Sequence, residues 1–226
     1  VRLFETGLRF IRDESGLRQV PTLAMVSTGP RFEESWASPV DAADFFDVKG
    51  DIESVLDLTR RSQQFTFKST SRPALHPGQT ACISREGDVV GFLGALHPSV
   101  GAELGLNAPL YLCEIDLAAL LEGKIPKYAE LSKFPEVRRD LAVVVDKTVS
   151  SARLMEDVRA AAGTYITDLR LFDVYTGKGI DPNRKSLALG LTFRDQSRTL
   201  GEEDVNVAVG QVIDLLEKNY NAELRS

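Results

Sequence analysis

The 226-residue chain is 43% hydrophobic and 27% charged, with a formal net charge of −6. That balance excludes intrinsic disorder and collagen-like repetition, and no apolar run approaches the roughly 18 residues a membrane helix needs. Two cysteines, Cys82 and Cys113, are too few for a disulfide framework and point to a reducing compartment.

In chain order, Val1 to Phe10 mixes apolar and polar positions without helical period and predicts a strand. Pro21 to Ser27 predicts a second, stopped by Thr28-Gly29-Pro30. Between Asp47 and Arg61 the period changes. Ile52, Val55, Leu56 and Thr59 fall on one helical face, with acids early and Arg60-Arg61 late, as the helix dipole prefers. His76-Pro77-Gly78 reads as a break. Thr80 to Ser84 and Val89 to Leu96 then form a hairpin around Arg85 to Asp88. Gly91 and Gly94 in its second strand either weaken it or mark close approach of another backbone. Leu110 to Asp116 predicts a strand, and Leu117 to Leu121 a short helix ending at Gly123.

Residues 122–135 are polar, carry two prolines and read as a linker, with a domain boundary near Ala129. Leu141 to Val145 predicts a buried strand. Ser151 opens a helix burying Leu154, Val158, Ala161 and Ala162, closed by Gly163. Ile166 to Tyr175 and Ser186 to Arg194 are strands around a basic turn. Thr199 with Glu202 suggests a capping box for a helix along Val205, Ala208, Val209, Val212, Ile213 and Leu216. Ala222 to Arg225 closes as a strand. The second half is therefore βαββαβ, a ferredoxin-like order, behind a mainly antiparallel α+β first half.

Chemistry is sparse in this pattern. His76 and His97 lack partners at metal-ligand spacing, and both fit turn capping or packing. The two cysteines fit buried strand positions. No phosphate loop, dinucleotide fingerprint or nucleophile elbow occurs. Net charge is −5 over residues 1–132 and −1 over 133–226, so bulk charge does not announce nucleic-acid binding. Residues 176–198 differ: Lys178, Arg184, Lys185, Arg194 and Arg198 face only Asp181 and Asp195, a local net of +3. Such a loop can track phosphates or stand as an ordinary solvated loop. In strand 186–194, leucines and Phe193 alternate with Ala188, Gly190, Thr192 and Arg194. The small-residue face could admit an RNA base or pack against another protein domain; the residues leave both open.

Several segments also resemble a known family in order and spacing. They are Ser132-Lys-Phe-Pro-Glu-Val-Arg-Arg-Asp140, Leu171-Phe-Asp-Val-Tyr-Thr-Gly177, Lys185-Ser-Leu-Ala-Leu189, Arg198-Thr-Leu-Gly-Glu-Glu203 and Leu224-Arg225. Together they look like the ferredoxin-fold anticodon-binding domain ending the β chain of bacterial-type phenylalanyl-tRNA synthetases. Arg2-Leu-Phe-Glu-Thr-Gly7, Asp44-Phe-Phe-Asp-Val-Lys-Gly-Asp-Ile-Glu53, Leu75-His-Pro-Gly-Gln-Thr-Ala81 and Gly94-Ala-Leu-His-Pro98 resemble that chain's catalytic-like domain.

The resemblance implies a class II synthetase-like antiparallel sheet domain over 1–129 and a ferredoxin-like domain over 130–226. It implies a C-terminal part of a β chain, cytoplasmic, docking an α chain in an α2β2 ligase and binding the anticodon region of tRNA(Phe), with no membrane or DNA partner. ATP and Mg2+ are implied for the whole enzyme and no cofactor for this chain. Leu110-Tyr-Leu-Cys-Glu-Ile-Asp-Leu117 keeps Glu114 but lacks the arginine that would grip ATP phosphates, so no catalytic residue and no metal ligand is expected. The helix at 47–61 is a candidate α-chain contact or an ordinary surface helix. The expected tRNA contacts are Arg138, Arg139, Arg170, Tyr175, Lys178, Arg184, Lys185, Arg194 and Arg198, giving strongly salt-dependent binding. Phe134, Pro135, Asp140, Phe172 and Asp173 are read as packing and turn positions. A free-standing interaction or small-molecule regulatory module is the alternative.

Overall fold

A computed structural model describes residues 1–14, 16–38, 40–128 and 130–225, with Asp13 described by its backbone alone. The chain divides into two compact units, Val1–Tyr128 and Ala129–Ser226. The boundary residue expected from the sequence, Ala129, lies outside the described residues.

The first unit is built on a six-stranded antiparallel sheet in the order β1-β2-β6-β5-β4-β3. β1 (Arg2–Asp13) and β2 (Gly16–Thr28) form one long hairpin, each extending past its predicted run and paired continuously from Arg2–Ser27 to Asp13–Gly16. The helix α1 (Phe45–Asp57) lays Val48, Ile52 and Leu56 on the sheet. Asp44 caps it by accepting from the Phe46 and Asp47 amides, while Asp47 accepts from the Asp44 amide at 2.8 Å. The helix stops short of the expected Arg60-Arg61 turn. Thr59 is buried and its hydroxyl donates to the Leu56 carbonyl at 2.7 Å, and Arg60 takes a left-handed φ of 56°.

Two further elements carried no usable sequence signal. β3 (Phe65–Ser69) is an edge strand, and α2 (Pro98–Glu103) a short helix capped by His97. His76-Pro77-Gly78 does not break the chain. β4 (Leu75–Arg85) continues through it with a register shift between Leu75 and Thr80, held by the Thr80 hydroxyl donating to the His76 carbonyl at 2.6 Å. The expected hairpin joins β4 to β5 (Asp88–Leu96) through Glu86 and Gly87, both at positive φ. Both histidines cap turns: His76 Nδ1 accepts from the Gly78 amide and His97 Nδ1 from the Ser99 amide. β6 (Leu110–Asp116) and α3 (Leu117–Leu121) match their predicted bounds. Gly91 in β5 answers the question about close approach, since a Cβ there would sit 2.4 Å from the Glu114 carbonyl oxygen.

The second unit holds a four-stranded antiparallel sheet in the order β10-β7-β9-β8. The elements run β7 (Val137–Asp146), α4 (Ser151–Ala161), β8 (Ile166–Tyr175), β9 (Arg184–Phe193), α5 (Glu202–Tyr220) and β10 (Glu223–Leu224). That succession and order make a ferredoxin fold. Leu187, Leu189, Leu191 and Phe193 of β9 pack with Val143, Leu154, Val158, Val205, Val212 and Leu216 in one core. The two helices are tied together by the Tyr220 hydroxyl donating to Asp157 at 2.6 Å. Burial and that bond push the Tyr220 phenol up to about 12.

The start of α5 differs from the expected capping box. Gly201 is the cap, and Asp204 accepts from its amide at 2.9 Å. Arg198 closes on the same carboxylate through two guanidinium nitrogens at 2.6 and 2.9 Å. Leu200 is buried between them and fixes the entry of the chain. Arg184 clamps the other end of the unit. It pairs with Glu223 and donates to the carbonyls of Val144 and Asn221 at 2.6 and 2.8 Å, holding β10 against β7.

Two outcomes follow from these clamps. Hydrogen bonding from Arg198, with the Gly201 amide, lowers the Asp204 carboxyl from 3.8 to about 2. A depressed acid stabilises the fold above its unfolded value and loses that contribution as pH falls through the folded value. An Asp204→Asn chain should therefore melt below the parent chain from neutral pH to about 4, and the gap should close near pH 2 in a circular-dichroism titration. Arg184→Met should cost about 1–3 kcal/mol by orphaning two carbonyls. Hydrogen exchange should localise the loosening to Glu223–Arg225.

Candidate nucleic-acid interface

Both helices cover one side of the second sheet, which leaves the other side open. β9 shows why. Its leucines and Phe193 are buried beneath the helices, while Ser186, Ala188, Gly190 and Thr192 alternate onto the opposite face. Register then assigns the neighbours. On β7, Arg138 stands opposite Thr192, Asp140 opposite Gly190 and Ala142 opposite Ala188. On β8, Asp168, Arg170, Asp173 and Tyr175 stand opposite Thr192, Gly190, Ala188 and Ser186. The floor of this face is small side chains, and its edges carry arginines and aromatics.

Two arginine–aromatic pairs frame the floor. The Arg138 guanidinium lies 5.7 Å from the Phe172 ring centroid, and the Arg225 guanidinium 5.0 Å from that of Tyr175. Tyr175 is held from below as well. Its hydroxyl donates to the Lys178 carbonyl at 3.2 Å, and a Cβ on Gly177 would fall 2.4 Å from that hydroxyl oxygen. Gly177 is thus demanded by the ring folding over its own loop.

Phe172 corrects its expected role in packing. Counted back from Tyr175 and Asp173 on the open face, regular alternation would turn it to the helix side. A register shift between Leu171 and Asp173 inserts it as an extra residue, and it stands 53% exposed. Arg225, which the sequence reading left out of the interface, reaches this face because its amide donates to the Ala142 carbonyl at 2.8 Å, continuing the β10 pairing. The signal was the Leu224-Arg225 match at the end of the chain.

The other expected contacts separate sharply. Arg138, Arg170 and Arg194 are exposed or half-buried but each meets a carboxylate: Asp140 at 2.9 Å, Asp168 at 2.9 Å and Glu136 at 3.3 Å. Lys178 is exposed on the loop after β8. Arg139 stands opposite Leu191 and so shares the helix-covered face, where it donates to the Arg138 carbonyl.

Arg184, Lys185 and Arg198 are each engaged within the fold. Arg184 is the β10 clamp. Lys185 stands opposite Val145 on the helix side and donates to the carbonyls of Lys147 and Val149 at 3.1 and 2.6 Å. Burial lowers its ammonium pKa against the pull of Asp146. Arg198 is committed to Asp204.

The first unit carries a contrasting face. Arg9 of β1 reaches across β2 and donates to Glu114 at 2.9 Å and Asp116 at 2.8 Å on β6. The sequence reading found two carboxylates and no arginine beside them; the cation comes instead from a strand 105 residues earlier. Arg9 borders an open depression of about 480 Å³, where Arg72 also stacks on Phe92 at 3.9 Å. These residues do not suit ATP with Mg2+. The guanidinium nearest the floor is already neutralised, the carboxylates are already engaged, and Arg72 covers the aromatic surface. Cys113, at the centre of the same sheet, is a buried thiol pushed up to about 12 by desolvation and Glu114, so it acts as a small hydrophobe.

Comparison with known proteins finds two family models along the chain. A family model described as phenylalanyl tRNA synthetase beta chain CLM domain matches residues 1–117, and one described as ferredoxin-fold anticodon binding domain matches residues 132–225. Similar curated proteins include the phenylalanine–tRNA ligase beta subunits of Pseudomonas putida, 51% identical over 225 residues, and of Pseudomonas savastanoi pv. phaseolicola, 52% identical over 225. That of Shewanella oneidensis is 46% identical over 228 residues. Each alignment covers 100% of this chain but only 28–29% of the relative. Among solved structures, a pyrrolysyl tRNA synthetase of Desulfitobacterium hafniense matches over 54% of this chain and 40% of its own, at 13% identity and a TM-score of 0.33. That last likeness is too weak to argue from. With its first unit matched by the CLM model and its second by the anticodon-binding model, the chain belongs to the phenylalanyl-tRNA synthetase beta chain family.

Proposed function

We propose that the chain is the C-terminal part of a phenylalanine–tRNA ligase β subunit, and that its second unit binds the anticodon region of tRNA(Phe) through the open sheet face. The single observation carrying this reading is that face itself: a small-residue floor flanked by two arginine–aromatic pairs, in a domain of the anticodon-binding family. Small residues let a planar base approach the backbone, and exposed rings offer stacking to any base. Arg138, Arg170, Tyr175, Lys178, Arg194 and Arg225 are the contacts assigned, and Arg139, on the helix-covered face, is not among them.

Residues 1–129 serve in this reading as a catalytic-like scaffold of class II type that docks the α chain of an α2β2 ligase in the cytoplasm. ATP and Mg2+ act at the α chain. What supports the scaffold role is the Arg9–Glu114–Asp116 cluster, in which two carboxylates already neutralise the guanidinium. A free-standing regulatory module is disfavoured by identity of about half to β subunits across the whole chain.

Electrostatics refine the expected salt dependence. Most of the basic contacts are already paired with carboxylates, so few counterions leave the RNA on binding. With two or three unpaired cations, the slope of log K against log salt should be about −2, where eight free cations would give about −6. Filter binding of a tRNA(Phe) transcript across a salt series measures it, and no binding at low salt overturns the reading. Tyr175→Ala and Arg225→Ala should each weaken binding about tenfold without lowering the melting temperature. Calorimetry of the chain with ATP and Mg2+ should register no saturable heat; saturable binding would sink the scaffold role.

A further inference from the structure

Among the described residues, Phe172 is a large apolar side chain that the second unit exposes on its open face. The inserted residue in β8 costs ladder pairing and exposes a ring to water. Three other groups are arranged around it. Arg138 crosses from β7 over β9 toward the ring. Asp140 holds that guanidinium in place at 2.9 Å from its Nε. Gly190 lies beneath, and a Cβ there would meet Arg138 at 3.1 Å and Asp140 at 3.3 Å. Room for the guanidinium therefore depends on the missing side chain.

We infer that Phe172, with Arg138, is a second base-stacking plate, separate from the Tyr175 plate and taking an unstacked nucleotide base of single-stranded RNA. The inference rests on the reading of the open face as the RNA-binding surface. A phenyl ring flanked by a fixed guanidinium offers both partners that splayed bases stack on. The spacing selects the form of the ligand. Phe172 and Asp173 together oppose Ala188, while Tyr175 opposes Ser186, two residues along β9. Two strand residues span about 6.6–6.8 Å, roughly twice the 3.4 Å step between neighbours in a duplex strand. Bases seated on the two rings are thus separated from each other, which a loop permits and a stem does not. Asp140 adds a carboxylate acceptor beside the plate for the donor edge of a base.

The test uses the 226-residue chain and tRNA(Phe) transcripts carrying 2-aminopurine at single anticodon-loop positions. In the parent chain, two loop positions should be quenched on binding. Phe172→Ala should relieve quenching at one of them and weaken binding about tenfold, while Tyr175→Ala relieves the other. Phe172→Trp, which keeps a ring, should retain both quenching and affinity. Unchanged melting temperatures separate these losses from misfolding. If Tyr175→Ala weakens binding and Phe172→Ala changes neither affinity nor any quenching, the second plate is wrong and the RNA face stands. If neither substitution matters, the RNA face itself falls. Loss of α-chain association in Phe172→Ala, with RNA binding intact, would make the ring a protein contact and overturn the inference.

Discussion

The strict alternation of β9 is the constraint on which the second unit depends. Four side chains, Leu187, Leu189, Leu191 and Phe193, are fully or almost fully removed from water on one side. Each contributes on the order of 1.5–3 kcal/mol of apolar burial, so the strand cannot slip by one residue without exposing all four. That fixed register forces Ser186, Ala188, Gly190 and Thr192 to the far side, where their small size leaves a shallow floor. Stability and recognition are two faces of a single strand, and the first is what holds the second in place.

Charge plays a different part from the one that counting suggests. The basic residues of residues 176–198 look like a phosphate track, yet most of them serve the fold. Arg184 fastens β10, Lys185 satisfies loop carbonyls before α4, and Arg198 completes the cap of α5. On the open face the arginines are held by neighbouring carboxylates, which fixes their planes more than it raises the local potential. The first unit shows the same economy at Arg9, whose guanidinium is held by two acids from β6.

The α+β class, the ferredoxin order and most element bounds of the second unit were legible because its strands and helices keep clean periods of two and 3.6. Failures came where backbone geometry departs from period. β4 runs through His-Pro-Gly by shifting register, and α1 ends early because Thr59 is drawn inward. The site was less legible for a related reason. Phe172 and Tyr175 are three residues apart, so regular alternation sets them on opposite faces, and only the inserted residue unites them. Arg184 and Lys185 could not be told from phosphate ligands because their partners are carbonyls about 36–40 residues away. Arg225 gave a motif match but no chemistry until the chain's last pairing laid it beside Tyr175.

The inserted residue in β8 also bears on how such a surface can change over generations. Asp168 and Arg170 before it put even numbers on the open side, and Asp173 and Tyr175 after it put odd numbers there. Losing that single codon would remove this register shift yet leave Asp173 and Tyr175 facing as they do now, with the leucine core untouched. A lineage could therefore discard or acquire this aromatic by one in-frame event, without re-threading the domain around it.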